Sequence, residues 1–324
     1  SKTKGKGADA DEFIHLRRSA WWCRRPYEKA KQRYIWCNEL AKPSGGGEFV
    51  SVLVLHLSDI HIRSASDWIL NKSREVAAAT FSALPQSSTV FIVVSGDIAY
   101  SGTSAQYASA KTFLQDVKRA LLTEKPTLAV HFVTCPGNHD CDFSSSGNAR
   151  VLLLDAVRKN PSMLDDSVLK ESLKVQAAYR EFSAELQSEC ETVTGDEIWG
   201  MHRFTVEGKE LVFDSINVAW CSNLREEPGS LIFPHARYTN RLGGVADLRV
   251  AVIHHPLNWF GQTSYRPFKE LIRTVANVVI SGHEHTGGVG EDIGSETGHS
   301  AYVEGCVLQS DSPATDSSFN VVVF

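Results

Sequence analysis

The stretch VLVLHLSDIH, residues 52–61, joins an apolar run to a polar cluster at its end. The same arrangement recurs at Val90–Val94, Val130–Thr134, Val250–His254 and Val278–Ile280. Short apolar runs that end in polar clusters are typical of buried strands. Helical patterns cover 71–84, 104–122 and 148–190. Strands and helices mixed in this way predict a layered α/β sandwich.

The residues after these runs are of the kinds that bind divalent metals. They are Asp59-x-His61, Gly96-Asp97, Gly137-Asn138-His139-Asp140, His254-His255-Pro256 and Gly282-His283-Glu284-His285. Their oxygen and nitrogen atoms suit hard and borderline ions. Because ligands of open α/β sheets bind beyond the carboxyl ends of the strands, we expect these side chains to meet at one edge. The i, i+2 spacing of the D-x-H and H-x-H pairs places both side chains on one side if the backbone stays extended.

The ordered set D-x-H, G-D, G-N-H-D, H-H-P and G-H-x-H, from Asp59 to His285, resembles the calcineurin-like metallophosphoesterase superfamily. The resemblance implies an α/β fold of four layers, an αββα sandwich of two mixed β-sheets flanked by helices. It also implies a centre of two divalent metal ions, Mn, Fe or Zn. By this resemblance the ligands of the first metal are Asp59, His61 and His285, those of the second are Asn138, His254 and His283, and Asp97 bridges both.

From this ligand set we derive a hypothesis for the mechanism and for a set of supporting residues. A metal-bridging hydroxide would attack the phosphorus, and His139, which is not a ligand, would protonate the leaving oxygen. Asp140 or a nearby backbone carbonyl would orient that imidazole. His255, Tyr100 and Asn217 are further candidates for contact with substrate or with the ligand residues.

The combination of motifs is most similar to class III phosphodiesterases, so we expect a phosphodiesterase acting on a nucleotide or another small diester. The segment Gly96–Gly102 has no arginine, which disfavours a protein phosphatase. Tyr100 has the spacing of the tyrosine ligand of purple acid phosphatases, but the residues around it do not match their pattern. Two alternatives stay open: a nuclease on DNA or RNA, and a metal-containing sensor or regulatory domain of a larger protein.

The formal net charge of −5 is the sum of two unlike parts. Residues 1–48 carry 11 basic and 6 acidic side chains, or +5, and residues 49–324 carry 22 and 32, or −10. This balance argues against a protein that coats nucleic acid, but nucleic acid remains a candidate partner of the basic part. Two bound metals would reverse the sign of the field where a phosphate binds.

The chain divides into a leader and one large domain. Residues 1–48 are expected to form a basic, aromatic helical leader, helical in two pieces within 9–41, followed by a Gly-rich linker. Residues 49–324 are expected to form the metallophosphoesterase domain. Its helical insertion at about 143–200 would either cap the active site or pack on the outside.

Two further expectations concern the setting of the chain. No signal peptide or membrane span is apparent, and the seven cysteines are scattered, which predicts a cytoplasmic protein. Because the sequence stops on the apolar strand Val321–Phe324, fusion to further C-terminal domains is a possibility that stays open.

Overall fold

The computed structural model describes residues 17–19, 29–36, 51–187, 192–239, 246–294, 298–309 and 316–324. Its strands, in chain order, are β1 (Arg17–Ser19), β2 (Lys29–Trp36), β3 (Ser51–Leu57), β4 (Ser87–Val94), β5 (Ala129–Thr134), β6 (Thr192–Gly195), β7 (Trp199–Val206), β8 (Lys209–Ile216), β9 (Leu248–Val252), β10 (Val278–Ser281), β11 (Gly288–Gly294), β12 (Gly298–Glu304) and β13 (Asp316–Val323). Its α-helices are α1 (Ser73–Ala78), α2 (Ser104–Glu124), α3 (Asn148–Lys159), α4 (Asp166–Ser172), α5 (Ala177–Leu186) and α6 (Gln262–Val275).

The strands form two mixed sheets. The first sheet has the order β1-β2-β13-β3-β4-β5, and the second has the order β11-β12-β10-β9-β8-β7-β6. In the first sheet β3, β4 and β5 are parallel neighbours, while β13 runs antiparallel to β3. In the second sheet β8, β9, β10 and β12 run parallel, and hairpin partners extend it at both edges. The predicted mixture of strand directions is confirmed.

Alternation along the strands separates the core into layers. In β3, Val52 and Val54 face the layer between the two sheets, whereas Leu53 and Leu55 face the helices outside the first sheet. Because successive side chains of a strand point to opposite faces, a strand buried on both sides is apolar throughout. The order of layers is therefore helix, sheet, sheet, helix, and the predicted four-layer sandwich is confirmed.

The helices divide between the two outer faces. The apolar residues of α1, α2 and α5 pack on the first sheet, and those of α3, α4 and α6 pack on the second. The region 143–200 is thus shared between both outer layers. In the part that the structure describes, its buried side chains pack on the outer faces of the two sheets. Whether the region also caps the active site stays a prediction.

The helical prediction for the leader is wrong for Arg17–Ser19 and Lys29–Trp36, which form β1 and β2. Strand β2 lies parallel to β13, and β1 pairs with β2 in the antiparallel sense. Hydrogen bonds to a neighbouring strand outweigh a local helical propensity. The rest of residues 1–48, including the Gly-rich linker, lies outside the described residues.

Among the described residues, no helix is both long enough and apolar enough to cross a membrane.

Candidate metal centre

The predicted polar clusters follow strands of both sheets and meet at one place. The loops after β3, β4 and β5 extend from the first sheet, and the loops after β9 and β10 extend from the second. Asp97, which follows β4, lies with its Oδ1 3.3 Å from Nε2 of His254, which follows β9. The two sheets therefore contribute to a single site.

The backbone at these clusters is left-handed, so the extended geometry in which i and i+2 side chains share one side is not met. The residues with positive φ include Asp59 (54°), His61 (51°), Asp97 (53°), His283 (73°) and His285 (56°). This conformation costs a non-glycine residue roughly 1–2 kcal/mol, and strained residues of this kind cluster at functional sites. All five of these residues are proposed metal ligands, so the strained positions coincide with the predicted site.

Hydrogen bonds between the loops hold these turns in place. The backbone N–H of Asp59 donates to the carbonyl of Gly96 (3.1 Å), and that of His61 donates to the carbonyl of Asp97 (2.9 Å). The N–H of His283 donates to Oδ2 of Asp59 (3.1 Å), which links the loop after β10 to the loop after β3. Hydrogen bonds between three loops, those after β3, β4 and β10, therefore stabilise the left-handed residues.

One half of the cluster centres on Asp59, which is fully buried. Its Oδ1 lies 3.2 Å from Nε2 of His285 and 3.7 Å from Nε2 of His61. Nε2 of His61 also lies 3.8 Å from Oδ2 of Asp97. Burial opposes ionisation of Asp59, but the neighbouring His285 and His61 hold its pKa well below its usual value.

The other half centres on His254. Its Nδ1 lies 2.8 Å from the carbonyl oxygen of Ser95, which leaves Nε2 facing the cluster, 3.2 Å from Oδ1 of Asn138. The ring of His283 lies 5.1 Å from that of His254, centroid to centroid. Burial alone would lower the pKa of His254, but the carboxylate of Asp97 beside it raises this pKa to about 10. The His254 charge in turn holds the pKa of Asp97 below its usual value against the effect of burial.

His139 lies at the edge of this cluster. Its backbone N–H donates to Oδ1 of Asp97 (2.9 Å), and its ring Nδ1 lies 2.8 Å from the carbonyl oxygen of Tyr100. A carbonyl can only accept, so Nδ1 carries the proton in this contact. Of the two groups expected to orient this imidazole, the structure provides the backbone carbonyl.

Asp140 connects two loops of the site through its buried carboxylate. Its buried carboxylate accepts hydrogen bonds from the N–H groups of Ile98, Ala99 and Gly137 and from the hydroxyl of Tyr107. Burial, and then the nearby charge of Asp97, raise the pKa of Asp140. Asp140 therefore ties the loop that carries Asp97 to the loop that carries Asn138 and His139.

A model of the calcineurin-like phosphoesterase family matches residues 52–287, which include every cluster described above. The chain belongs to this family. It is a metal-dependent phosphoesterase, and the resemblance inferred from the motifs is confirmed. No curated protein matches the chain. Among solved structures, a dimetal phosphatase from Danio rerio is similar at 13% identity over 78% of this chain and 86% of that one, with a TM-score of 0.35, a likeness too distant to carry an argument.

The residues present in this phosphoesterase fit the divalent ions that its family uses. Among the described residues, Oδ1 of Asp59 and both ring nitrogens of His61 are buried without a hydrogen-bond partner. Asp59, His61 and His285 each offer one ligand atom within 4.8 Å of the others, and Asp59, Asp97 and His254 do the same. Asp97 lies between the two halves, with one oxygen toward His61 and the other toward His254.

Two residues of the phosphoesterase site carry no motif and were missed by sequence reasoning. Oε2 of Glu226 lies 2.8 Å from Nε2 of the fully buried His255. Trp259 packs its ring edgewise against His283, at 4.1 Å between centroids, and donates its indole N–H to Glu284. Trp259 lies three residues after Pro256 of the His-His-Pro motif, and this nearness is the one sequence signal that could have indicated it. Nothing in the sequence around Glu226 marks it.

Asn217 is the candidate that the structure does not bring to the cluster. Its amide donates to Oε1 of Gln176 (2.7 Å) and to the carbonyl of Glu197 (3.1 Å). It lines a separate cavity of about 440 Å³, to which Tyr179 and Thr134 also contribute. His255 and Tyr100, by contrast, do lie against the cluster, beside His283 and His139.

Proposed function

We propose that this phosphoesterase is a phosphodiesterase in which His139 protonates the leaving oxygen. The observation that carries the general-acid part of the proposal is the placement of His139. Its Nδ1 is engaged by the carbonyl of Tyr100, while His139, His61 and Asp97 each offer one atom within 4.8 Å of the others. The second ring nitrogen is therefore available for a substrate bound at the cluster.

In this proposal the ligands divide as the motifs predict. Asp59, His61 and His285 would hold one ion, Asn138, His254 and His283 would hold the other, and Asp97 would contact both. Bound divalent ions would supply Lewis acidity and lower the pKa of a coordinated water.

His139 and the Tyr100 carbonyl would control the transfer of a proton to the leaving oxygen. His139 in its protonated form donates from Nε2 to the oxygen that leaves as the P–O bond breaks, and it becomes neutral in doing so. The Tyr100 carbonyl keeps the Nδ1 proton in place throughout, so the ring cannot present the wrong nitrogen. A proton from solvent restores the starting form.

What supports a diester rather than a monoester is the motif combination of G-N-H-D, His-His-Pro and G-H-x-H. The substrate would be a nucleotide or another small diester. The test is a panel of activated mono- and diesters, cyclic nucleotides and single- and double-stranded DNA, run with Mn²⁺ and with chelator. Preferential hydrolysis of bis(p-nitrophenyl) phosphate over p-nitrophenyl phosphate supports the proposal. Preferential cleavage of DNA would instead favour a nuclease, and metal binding without turnover would favour a sensor domain.

A pair of variants tests the roles of the residues. Asp97→Ala should abolish metal binding and turnover, whereas His139→Ala should keep the metal and lose about 10²–10⁴-fold in rate on diesters with alkoxide leaving groups. The loss should be much smaller with p-nitrophenolate, which needs little protonation. Equal losses on both substrates would remove the general-acid role of His139.

A further inference from the structure

Tyr100 contacts His139 through its side chain as well as through its backbone. The two rings lie 5.1 Å apart, centroid to centroid, with 34° between their planes. On another side the His139 ring packs edgewise against His61 at 4.7 Å. The imidazole of His139 is therefore held between two rings and one carbonyl oxygen.

The backbone of Tyr100 is itself fixed. Its N–H donates to the carbonyl of Ile62 (3.0 Å), and Ile62 and Ala99 form a parallel bridge. The N–H of Ala99 donates in turn to the buried carboxylate of Asp140. The carbonyl oxygen that accepts from His139 is thus part of a short ladder and has little freedom to move.

One hydrogen bond fixes one atom of an imidazole, and the ring can still swing about that atom. A contact against a face of the ring limits this swing. From these contacts we propose that the side chain of Tyr100 is a positioning residue for His139, which aims Nε2 at the leaving oxygen. The inference rests on the proposed general-acid role of His139.

Arg63 contacts the Tyr100 side chain in turn. Its guanidinium lies over the Tyr100 ring, 4.4 Å from the centroid. Its backbone is held by its own N–H, which donates to Oδ2 of Asp67 (2.6 Å). A guanidinium over an aromatic face favours one ring orientation, so Arg63 limits the rotation of Tyr100 as Tyr100 limits that of His139.

The kinetic test compares leaving groups. Tyr100→Ala should lower kcat about tenfold on a diester with an alkoxide leaving group, because a small misplacement of a reacting group is costly. Its kcat on p-nitrophenolate diesters, its KM and its metal content should stay near wild type. Tyr100→Phe keeps the ring and should restore the rate, which a role of the hydroxyl as a metal ligand would not allow. Arg63→Ala should show a smaller loss in the same direction.

Tyr265 offers a matched control. Its side chain is 38% exposed against 42% for Tyr100, and the ammonium of Lys269 lies over its ring as Arg63 lies over that of Tyr100. Tyr265→Ala should leave both substrates unaffected. Equal losses on both leaving groups for Tyr100→Ala, or no loss on either, would overturn the inference.

A spectroscopic readout does not depend on activity. Long-range ¹H–¹⁵N spectra of the zinc-loaded protein, with the His139 signals assigned by their absence in His139→Ala, report which ring nitrogen carries the proton. All three proteins, wild type, Tyr100→Phe and Tyr100→Ala, should keep the Nδ1–H form, because its acceptor is a backbone carbonyl. The His139 ring cross-peaks should be sharp in wild type and Tyr100→Phe, and shifted and broadened by ring motion in Tyr100→Ala. If the proposed function fails because no diester is hydrolysed, this measurement still decides whether Tyr100 positions the ring. His139 ring cross-peaks with the same positions and widths in Tyr100→Ala as in wild type would contradict the positioning role.

Discussion

Oδ1 of Asp140 lies 2.9 Å from the backbone nitrogen of Ala99, two residues beyond Asp97. The same carboxylate accepts the N–H of Gly137, one residue before Asn138. A single buried side chain therefore sets the distance between two loops that carry proposed ligands.

Asp140→Asn is expected to loosen both loops. The amide has one acceptor oxygen, and its NH₂ group would face backbone donors, so buried N–H groups would lose their partner at about 1–3 kcal/mol each. We expect a lower free energy of unfolding in denaturant titrations and weaker metal binding in calorimetry. Asp142→Asn is the matched control, because Asp142 caps a short helical turn and asparagine caps as well as aspartate. Equal stability of the two variants would contradict the role given to Asp140.

Gly137→Ala should damage the site through sterics alone. A Cβ at residue 137 would fall 2.6 Å from the backbone nitrogen of Asp97 and closer still to its carboxylate. Because overpacking of this kind costs about 1–3 kcal/mol, we expect metal affinity to fall roughly 10- to 100-fold. Gly147→Ala is the control, since a Cβ there meets no atom within 4 Å. Equal metal affinities of the two variants would show that metal binding does not depend on the close contact between Gly137 and Asp97.

Arg249 tests stability away from the metal centre. Its side chain pairs with the fully buried Asp214, at 2.6 Å between Nε and Oδ2. Arg249→Met leaves a buried carboxylate without its countercharge, which typically costs about 3–5 kcal/mol. The exposed pair of Arg266 and Glu270 provides the control, and Arg266→Met should change stability by less than about 1 kcal/mol. Thermal unfolding of both variants measures the difference in stability. Similar unfolding midpoints would show that the buried pair of Arg249 and Asp214 does not contribute more to stability than the exposed pair.

Metal loading should release a proton from His254. In the metal-free protein the pKa of His254 is raised to about 10, so the ring is charged at pH 7, whereas a metal binds only the neutral imidazole. Affinity should therefore rise with pH from 7 toward 10 and level off above it. Calorimetric titrations at pH 7 in two buffers of different ionisation enthalpy should give different apparent enthalpies. Identical enthalpies in the two buffers would mean that His254 is already neutral.

The fold and the proposed ligands could be predicted because both depend on local patterns. Apolar runs such as Val52–Leu57 mark buried strands, and the end of each parallel strand points to the same edge of its sheet. Asp59, Asp97 and His254 follow such runs directly, and the structure brings them together. The motifs are therefore sufficient to indicate where in the fold the site lies.

What could not be predicted depends on contacts distant in sequence. Glu226 reaches His255 from a loop without a motif, and Asn217, although it follows β8, turns toward Gln176. The left-handed turns at Asp59 and His61 depend on hydrogen bonds to the loop after β4, which no local pattern reveals. For the same reason the local sequence favours a helix at β2, whose partner β13 lies near the other end of the sequence.

The division of the ligands between the two sheets has a consequence for the order of folding. Each proposed ion takes ligands from both sheets: Asp59 and His61 with His285 for one, and Asn138 with His254 and His283 for the other. Neither half of the sandwich alone can present a complete coordination shell. If these ligands hold the ions as proposed, the ions would bind tightly only after the two sheets have docked. Once bound, they would resist separation of the sheets.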